Sequence, residues 1–136
     1  MLKRIKLLAV AAIAAVLVAC GGGGGEGVPN FGGRYFESLT ITSNTCGSIG
    51  TSFEAADTVV QNDRVININS DGLMLAGTVD SDNGGFTATG SGVFSGTPVQ
   101  GTIKYRTVTA GSKYDVELSL IASGCTLTAK GTATLI

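Results

Sequence analysis

No histidine and no tryptophan occur anywhere in the 136 residues. Without imidazole the commonest general base and the commonest neutral metal ligand are both gone. Ser–His and Cys–His nucleophilic catalysis are thereby excluded, as are zinc sites that need imidazole. Without indole, a sugar-stacking cleft would have to rely on tyrosine or phenylalanine. Tyr35, Tyr105 and Tyr114 read instead as core or rim residues of the fold. Proline is confined to Pro29 and Pro98, and basic residues form no cluster after Lys6. A chain of that kind is a poor partner for nucleic acid or for anionic headgroups through its own charge. No glycine-rich loop with its lysine cradles a phosphate, since Gly21–Gly25 follows no strand. No cofactor is expected.

Helical periodicity is missing as well. From Arg34 onward apolar residues alternate with polar ones at period two, and glycine or Asn/Asp turn signals break the pattern repeatedly. The runs fall at 34–42, 51–61, 64–69, 73–79, 86–94, 99–106, 114–120 and 125–135. In the first, Tyr35, Leu39 and Ile41 share a face; in the third, Ile66 and Ile68 oppose Asn67 and Asn69. Asn69-Ser70-Asp71-Gly72 and Asp80 to Gly85 are hairpin turns, because Asp, Asn and Gly tolerate positive φ. Connections this short leave no room for crossovers, so consecutive strands pair in an antiparallel meander. The fold class is all-β, one meander of about eight strands closed as an up-and-down barrel, which removes exposed edges. A two-sheet β-sandwich built from the same strands is the alternative.

Acidic side chains hold the remaining chemistry. Asp80-Ser81-Asp82-Asn83-Gly84 resembles the opening of a calcium loop. However, Gly84 stands where an oxygen ligand belongs and Ser91 where the bidentate glutamate belongs, so a turn is expected and no metal. Glu37, Glu54, Asp57, Asp115 and Glu117 are scattered, most of them on positions expected to face solvent. A glycosidase-type pair would need two of them to converge.

The first twenty residues carry the most specific signal. Lys3, Arg4 and Lys6 precede an unbroken apolar run from Leu7 to Val16, and no acidic residue occurs before Glu26. That order is a secretory signal peptide, and the run is shorter than the roughly 20 residues of a transmembrane helix. The segment Leu17-Val18-Ala19-Cys20 resembles the lipobox of bacterial lipoproteins. The resemblance implies cleavage before Cys20, a diacylglyceryl group on its thiol and acylation of the new amino group, palmitate-type chains that hold the protein to a membrane. Gly21, where an aspartate would retain a lipoprotein at the inner membrane, favours the outer membrane. The division expected is a signal peptide at 1–19, a lipidated, glycine-rich tether at 20–32 and a β-barrel domain at 33–136. Five consecutive glycines suit a tether, because ordering them costs more backbone entropy than any other residue.

Export sets the redox compartment. In an oxidising envelope the two remaining cysteines, Cys46 and Cys125, most often pair. In an eight-stranded barrel the end of the first strand meets the start of the last, so a Cys46–Cys125 disulfide would staple the closure seam. Neither cysteine has a Cys-x-x-Cys partner or an adjacent basic residue, which argues against a redox-active pair.

Gly77, Ala88, Gly90, Gly101, Ala129 and Gly131 recur on otherwise apolar faces. They either leave room for one ligand or let strands bend while larger residues fill the interior. The functional expectation is an outer-membrane-anchored envelope lipoprotein without catalytic activity, acting as a structural or interaction module toward an envelope protein or cell-wall polymer. The alternative is a carrier of a small apolar ligand, an analogy with lipocalins that rests on strand count alone. A glycan-acting enzyme comes third.

Overall fold

A computed structural model of the protein describes residues 27–47, 50–94 and 96–136. The predicted signal segment 1–19, the lipidation site Cys20 and the tether as far as Glu26 lie outside the described residues. Eight strands follow in chain order: β1 (Gly33–Asn44), β2 (Ser52–Asn62), β3 (Val65–Ser70), β4 (Leu73–Val79), β5 (Gly85–Phe94), β6 (Thr97–Thr109), β7 (Lys113–Ala122) and β8 (Cys125–Leu135). Each pairs antiparallel with the next, and β8 returns to β1, with Leu39 opposite Gly131 and Tyr35 opposite Leu135. The sheet is one closed up-and-down barrel, which sets the sandwich alternative aside. No helix occurs among the described residues.

Alternation decides what goes inside. Along β7, Tyr114, Val116, Leu118 and Leu120 are buried while Lys113, Asp115 and Glu117 are exposed. Outward rows carry polar and charged groups such as Lys104, Glu117 and Lys130, which stand side by side across β6, β7 and β8. This is the reverse of a bilayer-spanning barrel, whose outer band is apolar. The interior is a single apolar core from Phe31 to Ala133.

The small residues serve curvature. A Cβ on Gly77 would run into the Thr87 carbonyl oxygen of β5, and one on Gly131 into the Ser38 carbonyl of β1. Only glycine lets neighbouring strands approach so closely where a small barrel coils. The Asp71-Gly72 hairpin turn has positive φ at both residues, as a two-residue turn of right-handed twist requires. Bulges at Thr42 in β1 and Val108 in β6 extend both strands beyond the alternating runs seen in the sequence.

One barrel end collects the starts of the odd strands, the ends of the even ones and the entering chain; it is called the tether end below. The other carries Cys46 and Cys125. The packed unit begins before residue 33, because Val28 packs on the core and Phe31 lies in it, 1% exposed.

Candidate functional site

Inside the barrel sits a polar group that the sequence reading misplaced. Glu37 and Asp57, two of the five scattered acids of which most were expected toward solvent, are 0% and 1% exposed. Parity is the physical reason. Glu37 stands in phase with Tyr35 and Leu39 along β1, and Asp57 in phase with Val59 and Gln61 along β2. Strand register places Glu37 opposite Ala55 and Asp57 opposite Tyr35, so the two carboxyls are diagonal neighbours on the inner face, within side-chain reach. Glu54, Asp115 and Glu117 are exposed, as expected.

From the opposite wall, the Tyr105 hydroxyl on β6 donates a hydrogen bond to Asp57 Oδ2. As two carboxylates, the pair would leave both Glu37 oxygens and Asp57 Oδ1 buried without a donor. A proton on Glu37 resolves this, because a carboxylic O–H can donate to Asp57. Burial, and next the hydrogen bond and charge of Asp57, push the Glu37 carboxyl up to about 10, so it is neutral at pH 7. Burial followed by the Asp57 and Glu37 charges also holds the Tyr105 phenol far above its ordinary value, which keeps its proton available. Chemically this is an acid–acceptor pair with a phenol donor, closed off from water.

Between the pair and the tether end lies an aromatic layer. Phe86 stacks on Tyr105 at 4.5 Å, and Phe31 meets Phe86 edge-on at 5.5 Å. Phe31 belongs to no strand; Gln61 holds it in place. The buried Gln61 amide accepts from the Phe31 N–H at 2.6 Å and donates to the carbonyls of Pro29 and Asp63, each at 2.9 Å. The Tyr35 hydroxyl donates to the Phe31 carbonyl at 2.9 Å. Two turns of backbone that would otherwise be unsatisfied are thus bonded by side chains. Sequence reasoning missed this plug, although a glutamine in phase with Asp57 and Val59 was a visible signal.

At the same end, the Asp80–Gly84 turn holds arginines. Arg106 pairs with Asp80 Oδ2 and Asp82 Oδ2, each at 3.0 Å, and Arg64 donates to the Asp80 carbonyl and to Asn83 Oδ1. The Arg106 hydrogen bond draws the Asp82 carboxyl below its usual range. The carboxylate oxygens of the calcium-like motif are therefore engaged by guanidinium groups, the Thr87 hydroxyl and the Gly84 N–H. Among the described residues no cluster of three or more His, Cys, Asp or Glu side chains is set to hold a metal.

The opposite end carries the disulfide. Cys46 and Cys125 are bonded, with Cα atoms 5.0 Å apart, tying the chain after β1 to the start of β8. Both cysteines help line a recess of about 190 Å³ with Phe94, Val99, Leu120 and Leu127. Comparison with protein families, with curated proteins and with solved structures finds no match for this chain.

Proposed function

We propose that the protein is a lipid-anchored module of the bacterial envelope, held at the outer membrane by acyl chains on Cys20, whose barrel binds a partner and does not catalyse. The observation that carries this reading is the filled interior. Large side chains occupy it throughout, Phe31 stops one end, and the Cys46–Cys125 bridge narrows the other. A carrier needs a cavity of roughly 300–1,000 Å³. The recess of about 190 Å³ beside the disulfide suits one apolar side chain of a partner better than a whole ligand, and the roomier hollows of about 520 and 480 Å³ are open grooves along β5, β6 and β7, lined by Ser91, Gln100 and Ile121. A glycan-acting enzyme would need its carboxyls open to a polymer, whereas Glu37 and Asp57 are sealed in the core. Work is then left to the outer rows and the ends, toward an envelope protein or cell-wall polymer.

Two measurements test the reading. Mass spectrometry of the membrane fraction is expected to find an acylated N-terminal peptide beginning at Cys20, with Cys20→Ser accumulating unprocessed; a free N-terminus beyond Cys20 contradicts the anchor. Titration of the processed protein with a fluorescent fatty acid is expected to show no saturable uptake, while photo-crosslinking from position 123, in the exposed β7–β8 turn, gives a discrete adduct in intact cells. Stoichiometric uptake of the fatty acid would replace the module with the carrier.

A further inference from the structure

The two ends of the barrel differ in their basic residues, although the tether end also carries Asp63, Asp80 and Asp82 in its turns. Arg34, Arg64, Arg106 and Lys113 all stand toward the tether end, Arg64 in the β2–β3 turn and the others within four residues of a strand's end there. Downstream of Cys20 only Lys104 and Lys130 lie elsewhere. Arg106 is engaged by Asp80 and Asp82, but among the described residues Arg34 and Lys113 form no ion pair and both are exposed. The same end exposes Val108, Leu135 and Ile136, the last at 69%. The disulfide end also exposes apolar groups, Val93 and Ile121, but its charged neighbour is Asp71 and it carries no basic residue.

Chain length fixes which end meets the bilayer. Asn83 Nδ2 donates to the Gly27 carbonyl at 3.2 Å, and Gln61 binds the chain from Pro29 to Phe31. The chain is therefore fastened to the barrel by residue 27, and only Gly21 to Glu26 separate that point from Cys20. Six residues span at most ~20 Å even when fully extended. Three exposed apolar side chains and two cations without an ion pair, Arg34 and Lys113, are too few to bind an anionic membrane unaided, but held that near to lipid they match its interfacial layer.

Resting on the lipid anchor proposed above, we infer that the tether end is a membrane-contact face. The barrel stands end-on on the anionic bilayer that holds Cys20, with Val108, Leu135 and Ile136 among the headgroups and Arg34 and Lys113 against their phosphates. The recess beside Cys46–Cys125 is then turned outward, toward a partner.

The test uses the processed full chain in vesicles of phosphatidylglycerol and phosphatidylcholine that contain a headgroup nitroxide quencher. A fluorophore is placed through Ala110→Cys in the β6–β7 turn at the tether end, or through Ser123→Cys at the far end. The label at 110 is expected to be quenched several-fold more strongly than that at 123. Arg34→Glu with Lys113→Glu should remove the difference while the protein still floats with the vesicles. Floating protein with equal quenching at both positions, with the order reversed, or with a difference that survives charge reversal overturns the contact face alone. A chain that does not float refutes the anchor, and the contact falls with it.

Discussion

Tyr105 on β6 and Asp57 on β2 are joined by a hydrogen bond that crosses the barrel interior. Three strands separate them either way round the wall, so this bond links opposite sides, which the sheet ladder does not do. Behind it, a protonated Glu37 completes a chain of three groups by giving its proton to Asp57. Networks of this kind fix one arrangement of a core when fully satisfied and are costly when one member is lost.

Stability should therefore depend on pH in the direction opposite to most proteins. The folded-state value of Glu37, about 10, lies above its ordinary value of 4.5, so the folded chain holds a proton that the unfolded chain releases. The contribution is fully present below about pH 4.5 and is lost as pH rises toward 10, by up to ~1.4 kcal/mol per pH unit. Urea midpoints at pH 5, 7 and 9 are expected to fall in that order. Glu37→Gln, neutral and still able to donate to Asp57, should flatten the series and raise the midpoint at pH 9. A midpoint that climbs from pH 5 to pH 9 would contradict the shared proton.

Removing the phenol tests the network from its other side. Tyr105→Phe leaves Asp57 Oδ2 buried without its donor, at a cost of ~1–3 kcal/mol, more than the average exposed hydrogen bond. Asp57→Ala combined with Tyr105→Phe should cost less than the two single changes together, because each removes the same bond. Strict additivity in the double-mutant cycle would separate the residues energetically.

How far the sequence could be read depends on which signals are local. Strand number, order and closure follow from period-two alternation and turn residues, both visible within ten residues, and the barrel has them all. The Cys46–Cys125 bridge was legible because an up-and-down barrel brings its first and last strands together. Glu37 and Asp57 were not, although their parity with Tyr35 and Val59 was plain: a lone carboxylate on an apolar face is assigned to solvent until a partner from β6 is known, and that partner is a matter of closure. The basic end was hidden for the same reason, since Arg34, Arg64, Arg106 and Lys113 are spread over most of the chain and meet only because strands reverse direction. Phe31 was taken for tether because no strand pattern contains it.

Phe31 also makes a prediction about where the domain begins. Its ring is buried against Phe86 and Tyr114, so Phe31→Ala should cost ~3–5 kcal/mol, as for other large-to-small core changes. Gln61→Leu should weaken the same plug by stranding the Phe31 N–H and the Pro29 carbonyl. Limited proteolysis is the direct readout: wild type should resist cleavage between 28 and 33, and both variants should be cut there while the strands survive. Ready cleavage of wild type in that stretch would return Phe31 to the tether.

The disulfide closes a loop of 79 residues. In chain-entropy terms, opening it frees the unfolded state by ~4 kcal/mol, with native relaxation lowering the measured value. The Cys46→Ser, Cys125→Ser double variant should thus lose a few kcal/mol yet keep its strand circular dichroism, because eight hydrogen-bonded ladders, including β1–β8, persist without the sulfurs. The loss should be largest in the unfolding midpoint and smallest at the tether end, where Phe31, Gln61 and the aromatic layer are far from the bridge. Hydrogen exchange can resolve the two ends: amides at the end of β1 and the start of β8 are expected to exchange faster in the variant, with those of Tyr35 and Tyr114 little changed. Uniform acceleration around the barrel would mean that the bridge supports the whole fold and is no mere staple on one seam.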